Sequence, residues 1–454
     1  MACLMFMPLL SSPVSAGGHS RLEPEWLVSL GGAGSDETAL AVSLAADGTL
    51  LAAGTNSSAA STGGFRISVD PATGKELSRE MDAAPTVSLA PNPRGFVGGE
   101  RRNTSGFVIA MYLGNDSRTP EWWHLYREPA DRLDRVAALG GGWTAAAGFM
   151  NGSGVVQVHN YNGHLEWIVF PRVGDSGFRS IGVAHDGAGG LLLAGSSKTN
   201  ASTGYGNLFV ERYGRDGEKI WGGEWDSGRP SAVVTAITAL PDGTSYVTGW
   251  ATKGGLGRPH VPFASQFSPD GDETWSQLLA LDPTKTDAEA RDACAAPDGS
   301  VAIVGTDLPG GTQGLAEPRV RVNVLTITRG QAGKSVDVTM DVRWERSAGV
   351  EAESCVYGPD GVLYISGATL NAQGEKDAFV GKFDLARLQE RIANAEFVQL
   401  GIFAAAGIVV VVAVIIIALK RPKRARKVRV EPARAEDRSK SGSPAPVVRP
   451  IGKG

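Results

Sequence analysis

One phrase returns seven times along this chain: a short apolar run, a tight turn with Gly, a second apolar run and a closing Gly. It stands at Val42–Gly54 (VSLAADGTLLAAG), Val87–Gly99, Val136–Gly148, Ile181–Gly195, Ile237–Gly249, Ala293–Gly305 and Cys355–Gly367. A period of about 50 residues means an array of like units, each burying its apolar face against its neighbours. Every unit reads as two hairpins. The first turns at Asp-Gly in Asp47-Gly48, Asp186-Gly187, Asp242-Gly243, Asp298-Gly299 and Asp360-Gly361, a pair that supplies positive φ at low cost. The second turns at Thr73-Gly74, Asn162-Gly163, Asp216-Gly217 or Asp270-Gly271 and leads into a strand bearing Trp122 or Trp123, Trp167, Trp221, Trp275 or Trp344; the first unit has Leu77 there instead. Two hairpins make a four-stranded antiparallel sheet. The seventh unit ends on its third strand, Phe379–Phe383, while the chain opens on an orphan Trp strand, Trp26–Leu30. The two incomplete ends add up to one sheet, which leaves no long unpaired edge. The expected fold is therefore all-β: a seven-bladed β-propeller of four-stranded antiparallel blades, closed by an N-terminal strand, over residues 22–386.

Leu30–Glu37 (LGGAGSDE) leading into Ala41-Val42, the Asp-Gly turns, the closing Gly-Thr or Gly-Ser and the run Phe379–Asp384 (FVGKFD) resemble the bacterial and archaeal seven-bladed β-propeller repeat family, often called SBBP. The second and third repeats are degenerate. That resemblance implies a fold and no single activity. Val69–Glu76 (VDPATGKE), and more loosely Tyr213–Trp221, are similar to the repeat of quinoprotein dehydrogenases, in which a Trp docks adjacent blades. Those enzymes resemble eight-bladed wheels with a calcium-ligand set and, in many members, a vicinal Cys pair. This chain has seven units and no adjacent cysteines, so a quinoprotein-like oxidoreductase is kept only as an alternative.

The ends carry targeting information. Residues 1–16 read as a secretory signal, an apolar stretch closing on Val14-Ser15-Ala16, without a basic leader before it. Phe397–Leu419 is uncharged, with Gln399 its one polar side chain, and is long enough to cross a bilayer as a helix. Residues 387–396 would join blade to span. The tail, 420–454, carries twelve Lys or Arg against three Asp or Glu, a surplus of nine positive charges; the whole chain is −4, so everything before the tail is −13. Basic residues flank the cytoplasmic side. The topology expected is single-pass type I at the cell membrane: propeller outside, disordered basic tail inside on anionic lipid. KRPKRARK also matches a nucleic-acid patch, but beside a span it reads as stop-transfer, and the acidic ectodomain argues against nucleic acid. Gly401 and Ala405 are spaced for helix packing within the span.

Asn56, Asn103, Asn151 and Asn200 are glycosylation sequons that each follow a closing Gly, which places them in one loop type and on one face, expected to look away from the membrane. Asn115 lies in the other loop type. Cys294 and Cys355 sit in the innermost strands of neighbouring units, offset by one residue relative to their turns. They point either toward each other, as an extracellular disulfide, or apart, as two buried thiols. None of the six histidines has zinc-ligand spacing; His159 is expected to face Glu166 across a surface hairpin. Asp270–Glu273 lacks the D-x-D-x-D-G pattern of a calcium loop and reads as a turn. No nucleophile elbow, Walker loop or H-E-x-x-H is present. The expectation is no catalytic, cofactor or metal site, and a binding module for an extracellular protein, glycan or cell-wall component. Its contact surface would be the loops Trp250–Pro262 and Thr306–Pro318, with Trp250 as an anchor. The alternatives are a glycan-directed propeller enzyme and a structural subunit of a membrane complex.

Overall fold

The computed structural model describes residues 20–21 and 24–385, apart from 32–33, 59–61, 102–105, 115–118, 127–130, 151–152, 172–177, 198–207, 226–231, 253–259, 280–286, 309–320, 330–335, 346–349 and 372. The chain divides into two units, residues 1–392 and 393–454, and the described residues belong to the first. The expected signal (1–16), juxtamembrane segment (387–396), span (397–419) and tail (420–454) lie outside the described residues. No helix among the described residues is long and apolar enough to cross a membrane.

The described strands form seven sheets, six of four strands and one of five. Numbered along the chain, their inner strands are Ser35–Leu44, Thr86–Asn92, Arg132–Ala138, Phe178–His185, Val233–Ala239, Asp287–Ala295 and Val350–Tyr357. Each inner strand packs against the inner strand of the next sheet, and the seventh packs against the first. The outer strand of sheet seven is Trp26–Leu30, antiparallel to Lys376–Phe383, with Trp26 opposite Lys382 and Leu30 opposite Ala378. The N-terminal strand thus closes the array. A shorter strand, Ser20–Arg21, runs parallel to the outer strand of sheet six, Val336–Glu345. Two residues carry too little pattern to have been foreseen.

The core is divided rather than central. Seven apolar clusters form, one at each interface between neighbouring sheets. At the interface of sheets four and five, for example, Leu192, Ala194 and Val210 pack against Val234, Val247 and Phe263. The two middle strands of each sheet are largely buried on both faces, as in Gly95–Arg101, Phe107–Leu113 and Ser245–Thr252, and their sequences run mostly apolar without alternation.

The outer Trp residues explain the second Gly turn. Trp26, Trp122, Trp167 and Trp221 each reach the outer hairpin of the following sheet and donate Nε1–H to a turn carbonyl: Pro71 at 3.1 Å, Tyr161 at 3.3 Å, Arg215 at 2.8 Å and Pro269 at 2.8 Å. A Cβ on Gly74, Gly163, Gly217 or Gly271 would stand within 3 Å of the indole, and all four glycines have φ between 71° and 93°. Glycine is required there twice over, for conformation and for space. Sheet one has Leu77 in place of this Trp, and it is 55% exposed.

Inner strands are tied by side chains as well. Ser88 Oγ accepts the Val136 amide at 3.0 Å, Asp134 Oδ2 the Ile181 amide at 3.1 Å, and Asp292 Oδ2 the Cys355 amide at 3.1 Å. Each bond joins one sheet to the next.

Candidate functional site: the central channel

The closing Gly of the repeat is the local cause of the channel's lining. Every inner strand carries a β-bulge, one extra residue against its neighbour: Leu40, Val87, Asp134, Arg179, Thr235, Arg291 and Glu353. Bulges re-aim a side chain and sharpen the twist. In five sheets the bend brings the carbonyl two residues before the bulge onto the closing Gly of the adjacent strand. A Cβ there would lie 1.8 Å from Thr38 O at Gly54, 2.1 Å from Arg132 O at Gly148, 1.9 Å from Val233 O at Gly249, 2.2 Å from Glu289 O at Gly305 and 1.9 Å from Glu351 O at Gly367. The repeated Gly exists so that the neighbouring strand can bulge.

Six of the seven bulge residues line one cavity of about 380 Å³, together with Arg132, Leu133, Arg135, Ile181, Val233, Val234 and Trp250. All seven inner strands contribute, so the cavity is the channel between the sheets. Leu40, Val87, Ile181, Val233, Val234 and Trp250 supply apolar surface, and Arg132, Asp134, Arg135, Arg291 and Glu353 supply charge.

The charge is organised in three groups. Arg135, on sheet three, reaches sheet six: its Nη2 lies 3.1 Å from Asp292 Oδ1 and donates to Arg291 O at 3.3 Å. Sheets three and six are not neighbours, so this ion pair braces the ring across its centre. Asp292 also accepts from Ser354 Oγ at 2.8 Å, the Cys355 amide at 3.1 Å and its neighbour's Ala293 amide at 3.0 Å. Arg132 clamps Asp134 through Nε at 2.6 Å and Nη2 at 3.2 Å. Arg291 gives Nη2 to Glu289 at 3.0 Å, while the other Glu289 oxygen meets His260 Nδ1 at 2.6 Å. Burial pushes the carboxyls of Asp134 and Glu353 up, in Asp134 against the pull of Arg132 and the Ile181 amide and in Glu353 against that of Arg291.

The expected site residues fall as follows. Cys294 and Cys355 point toward each other and are joined as a disulfide between the inner strands of sheets six and seven, with Cα atoms 6.0 Å apart. Trp250 is not a loop anchor. It lies in the strand Ser245–Thr252, is 8% exposed, lines the channel and stacks on His260 with ring centroids 3.8 Å apart. The loop around it is short because both flanking strands continue: Pro262 belongs to His260–Phe267, and only 253–259 separates the two. Thr306 is likewise a strand residue, in Val301–Leu308. Asn56 is half-buried within the strand Leu50–Ser58, opposite Glu37 and Gly63, rather than in a loop, because the hairpin extends past the closing Gly. Asn103, Asn151, Asn200 and Asn115 lie outside the described residues. His159 is buried, not a surface pair: a bulge at Glu166 sets it opposite Leu165, and its ring lies 4.7 Å from that of His124. Burial lowers its pKa to about 4. Among the described residues no three His, Cys, Asp or Glu groups gather as metal ligands.

The charged bulge residues were missed, although the sequence held a signal. In six units the bulge falls two residues before the start of the repeated phrase, a column reading Leu40, Asp134, Arg179, Thr235, Arg291, Glu353. It is a variable, mostly polar column in otherwise apolar strands. In sheet two the bulge is Val87, the phrase's own first residue.

No family model matches the chain, and no curated protein does. Among solved structures, hydrazine synthase of Kuenenia stuttgartiensis is similar with a TM-score of 0.52 and 14% identity, over 81% of this chain and 98% of that one. Sqt1 of Chaetomium thermophilum gives 0.46 and 11%, over 80% and 99%. A protein of unknown function from Dyadobacter fermentans gives 0.45 and 12%, over 80% and 99%. At 14% identity the likeness to hydrazine synthase is one of fold. The chain is a repeat-built β-propeller, and the resemblance to SBBP repeats holds at the level of that fold.

Proposed function

We propose that this chain is a single-pass type I membrane protein whose seven-bladed propeller, outside the cell, is an interaction module for a partner protein, a glycan or a cell-wall component. The observation that carries the reading is the Cys294–Cys355 bond. Disulfides persist in oxidising compartments; a disulfide-bearing domain between a secretory leader and an apolar run followed by seven Lys or Arg from Lys420 to Arg429 has one economical topology. The propeller offers a rigid scaffold, with Trp docking at its rim and a charged brace at its centre, and segments 253–259 and 309–320 would carry recognition. The basic tail would rest on anionic lipid inside. Glycans on Asn103, Asn151 and Asn200 would fit the same placement in a host with that machinery.

The test has two parts. On intact cells, a peptide tag inserted at 253–259 should be cut by added protease while a C-terminal tag is protected. The full chain in nanodiscs should then capture a saturable component of the host's surface extract, and shortening 253–259 and 309–320 should abolish the capture. Protection of both tags refutes the topology. Capture indifferent to both loops refutes the loop-borne interaction.

A further inference from the structure

We propose that the central channel is a binding site for a small amphipathic carboxylate, whose acid group meets Arg291 and whose apolar part lies against Leu40, Val87, Ile181 and Trp250. The cavity, about 380 Å³, is of the size that takes small ligands. Its lining holds three guanidiniums, on Arg132, Arg135 and Arg291, against two carboxyls, on Asp134 and Glu353.

The guanidiniums are not equally engaged. Arg132 is spent on Asp134 and Arg135 on Asp292. Arg291 commits one Nη to Glu289, and its Nε is buried without a hydrogen-bond partner. The Arg291 side chain is nevertheless 37% exposed, so its guanidinium keeps N–H donors open to a guest's carboxylate. Glu353 makes no hydrogen bond among the described residues, and Arg291 is the foremost charge acting on it. A guanidinium among aliphatic and aromatic side chains matches a carboxylate with an apolar body. An ammonium would meet three guanidiniums. This inference stands whether or not the propeller engages an extracellular partner.

The experiment titrates the full chain in nanodiscs by calorimetry with 3-phenylpropionate, 3-phenylpropanamide and 3-phenylpropylamine, three probes of one shape. The acid should saturate a single site and bind about ten-fold or more tighter than the amide, with the amine weakest. Arg291→Gln should erase the preference for acid over amide, while Arg79→Gln, on the outer strand of sheet one, should leave it intact. Should Arg291→Gln not fold, the acid–amide–amine order on the native chain decides alone. Equal affinity for acid and amide, a preference for the amine, no saturation by the acid up to ~10 mM, or a preference that survives Arg291→Gln overturns the proposal.

Discussion

Asp292→Ala is the substitution that best probes how this ring is held. The Asp292 side chain is 10% exposed and its partner Arg135 20% exposed. Alanine removes the acceptor for the Cys355 amide and Ser354 Oγ, both buried. Each stranded donor costs about 1–3 kcal/mol. It also strips Arg135 of its counter-charge, although that guanidinium keeps the Arg291 carbonyl and borders the cavity. The expected loss is about 4 kcal/mol, within the range for breaking a buried pair from one side. Over about 360 residues the unfolding entropy is ~0.75 kcal/mol per degree, so the melting temperature should fall by about 5 °C. Asp292→Asn, which keeps one acceptor and loses the charge, should cost about half as much. Thermal unfolding followed by tryptophan fluorescence reads both. A double-mutant cycle with Arg135→Met should give a coupling of about 1–2 kcal/mol. If Asp292→Ala lies within ~0.5 kcal/mol of the parent, or the cycle is additive within that margin, the centre of the ring is not braced by this pair.

Three further outcomes follow from the same geometry. Cys294→Ser with Cys355→Ser opens a loop of 61 residues, and chain entropy sets the loss at about 4 kcal/mol; denaturant midpoints should match those of the reduced parent, and thiol titration of the folded, unreduced parent should find neither cysteine. His159 has a folded pKa of about 4 against 6.5 unfolded, so the folded state disfavours its proton. Stability from this group is whole above 6.5 and drains as pH falls toward 4, by up to ~3 kcal/mol, and His159→Gln should flatten that part of the stability–pH curve. Gly249→Ala places a Cβ 1.9 Å from the Val233 carbonyl and should cost more than ~3 kcal/mol, whereas Gly223→Ala meets nothing within 4 Å and should stay within ~0.5 kcal/mol by denaturant midpoint.

The hairpins and the closing strand were legible because periodic patterns report local geometry: Asp-Gly fixes a turn, and the one-residue offset of Cys294 and Cys355 narrowed them to facing together or apart without choosing between the two. Trp250 shows where that reasoning stops. Its position after the closing Gly reads as the start of a loop, yet the middle strand runs on through Thr252 because pairing with His260–Phe267 continues to satisfy its backbone. Asn56 was misplaced for the same reason. The charged ring was harder still: Asp134, Arg291 and Glu353 are far apart in sequence, and only the bulges, which follow from strand crowding at the axis, turn them onto a common space. His159 looked like a surface residue because strict alternation ignores the bulge at Glu166.

The closing sheet has a consequence for synthesis. Among the described residues Trp26–Leu30 pairs only with Lys376–Phe383, a partner made some 350 residues later, about half a minute at ordinary translation speed. Until then the strand and its indole have no native place. The first sheet meanwhile presents a bare flank where Trp26 will dock on Gly74. Each of the other sheets can assemble from neighbours already in hand, but this one waits for the end of the domain. A nascent chain stalled before Lys376 therefore carries an open ring with two exposed apolar flanks, the form in which a quality-control protease or a chaperone would meet it.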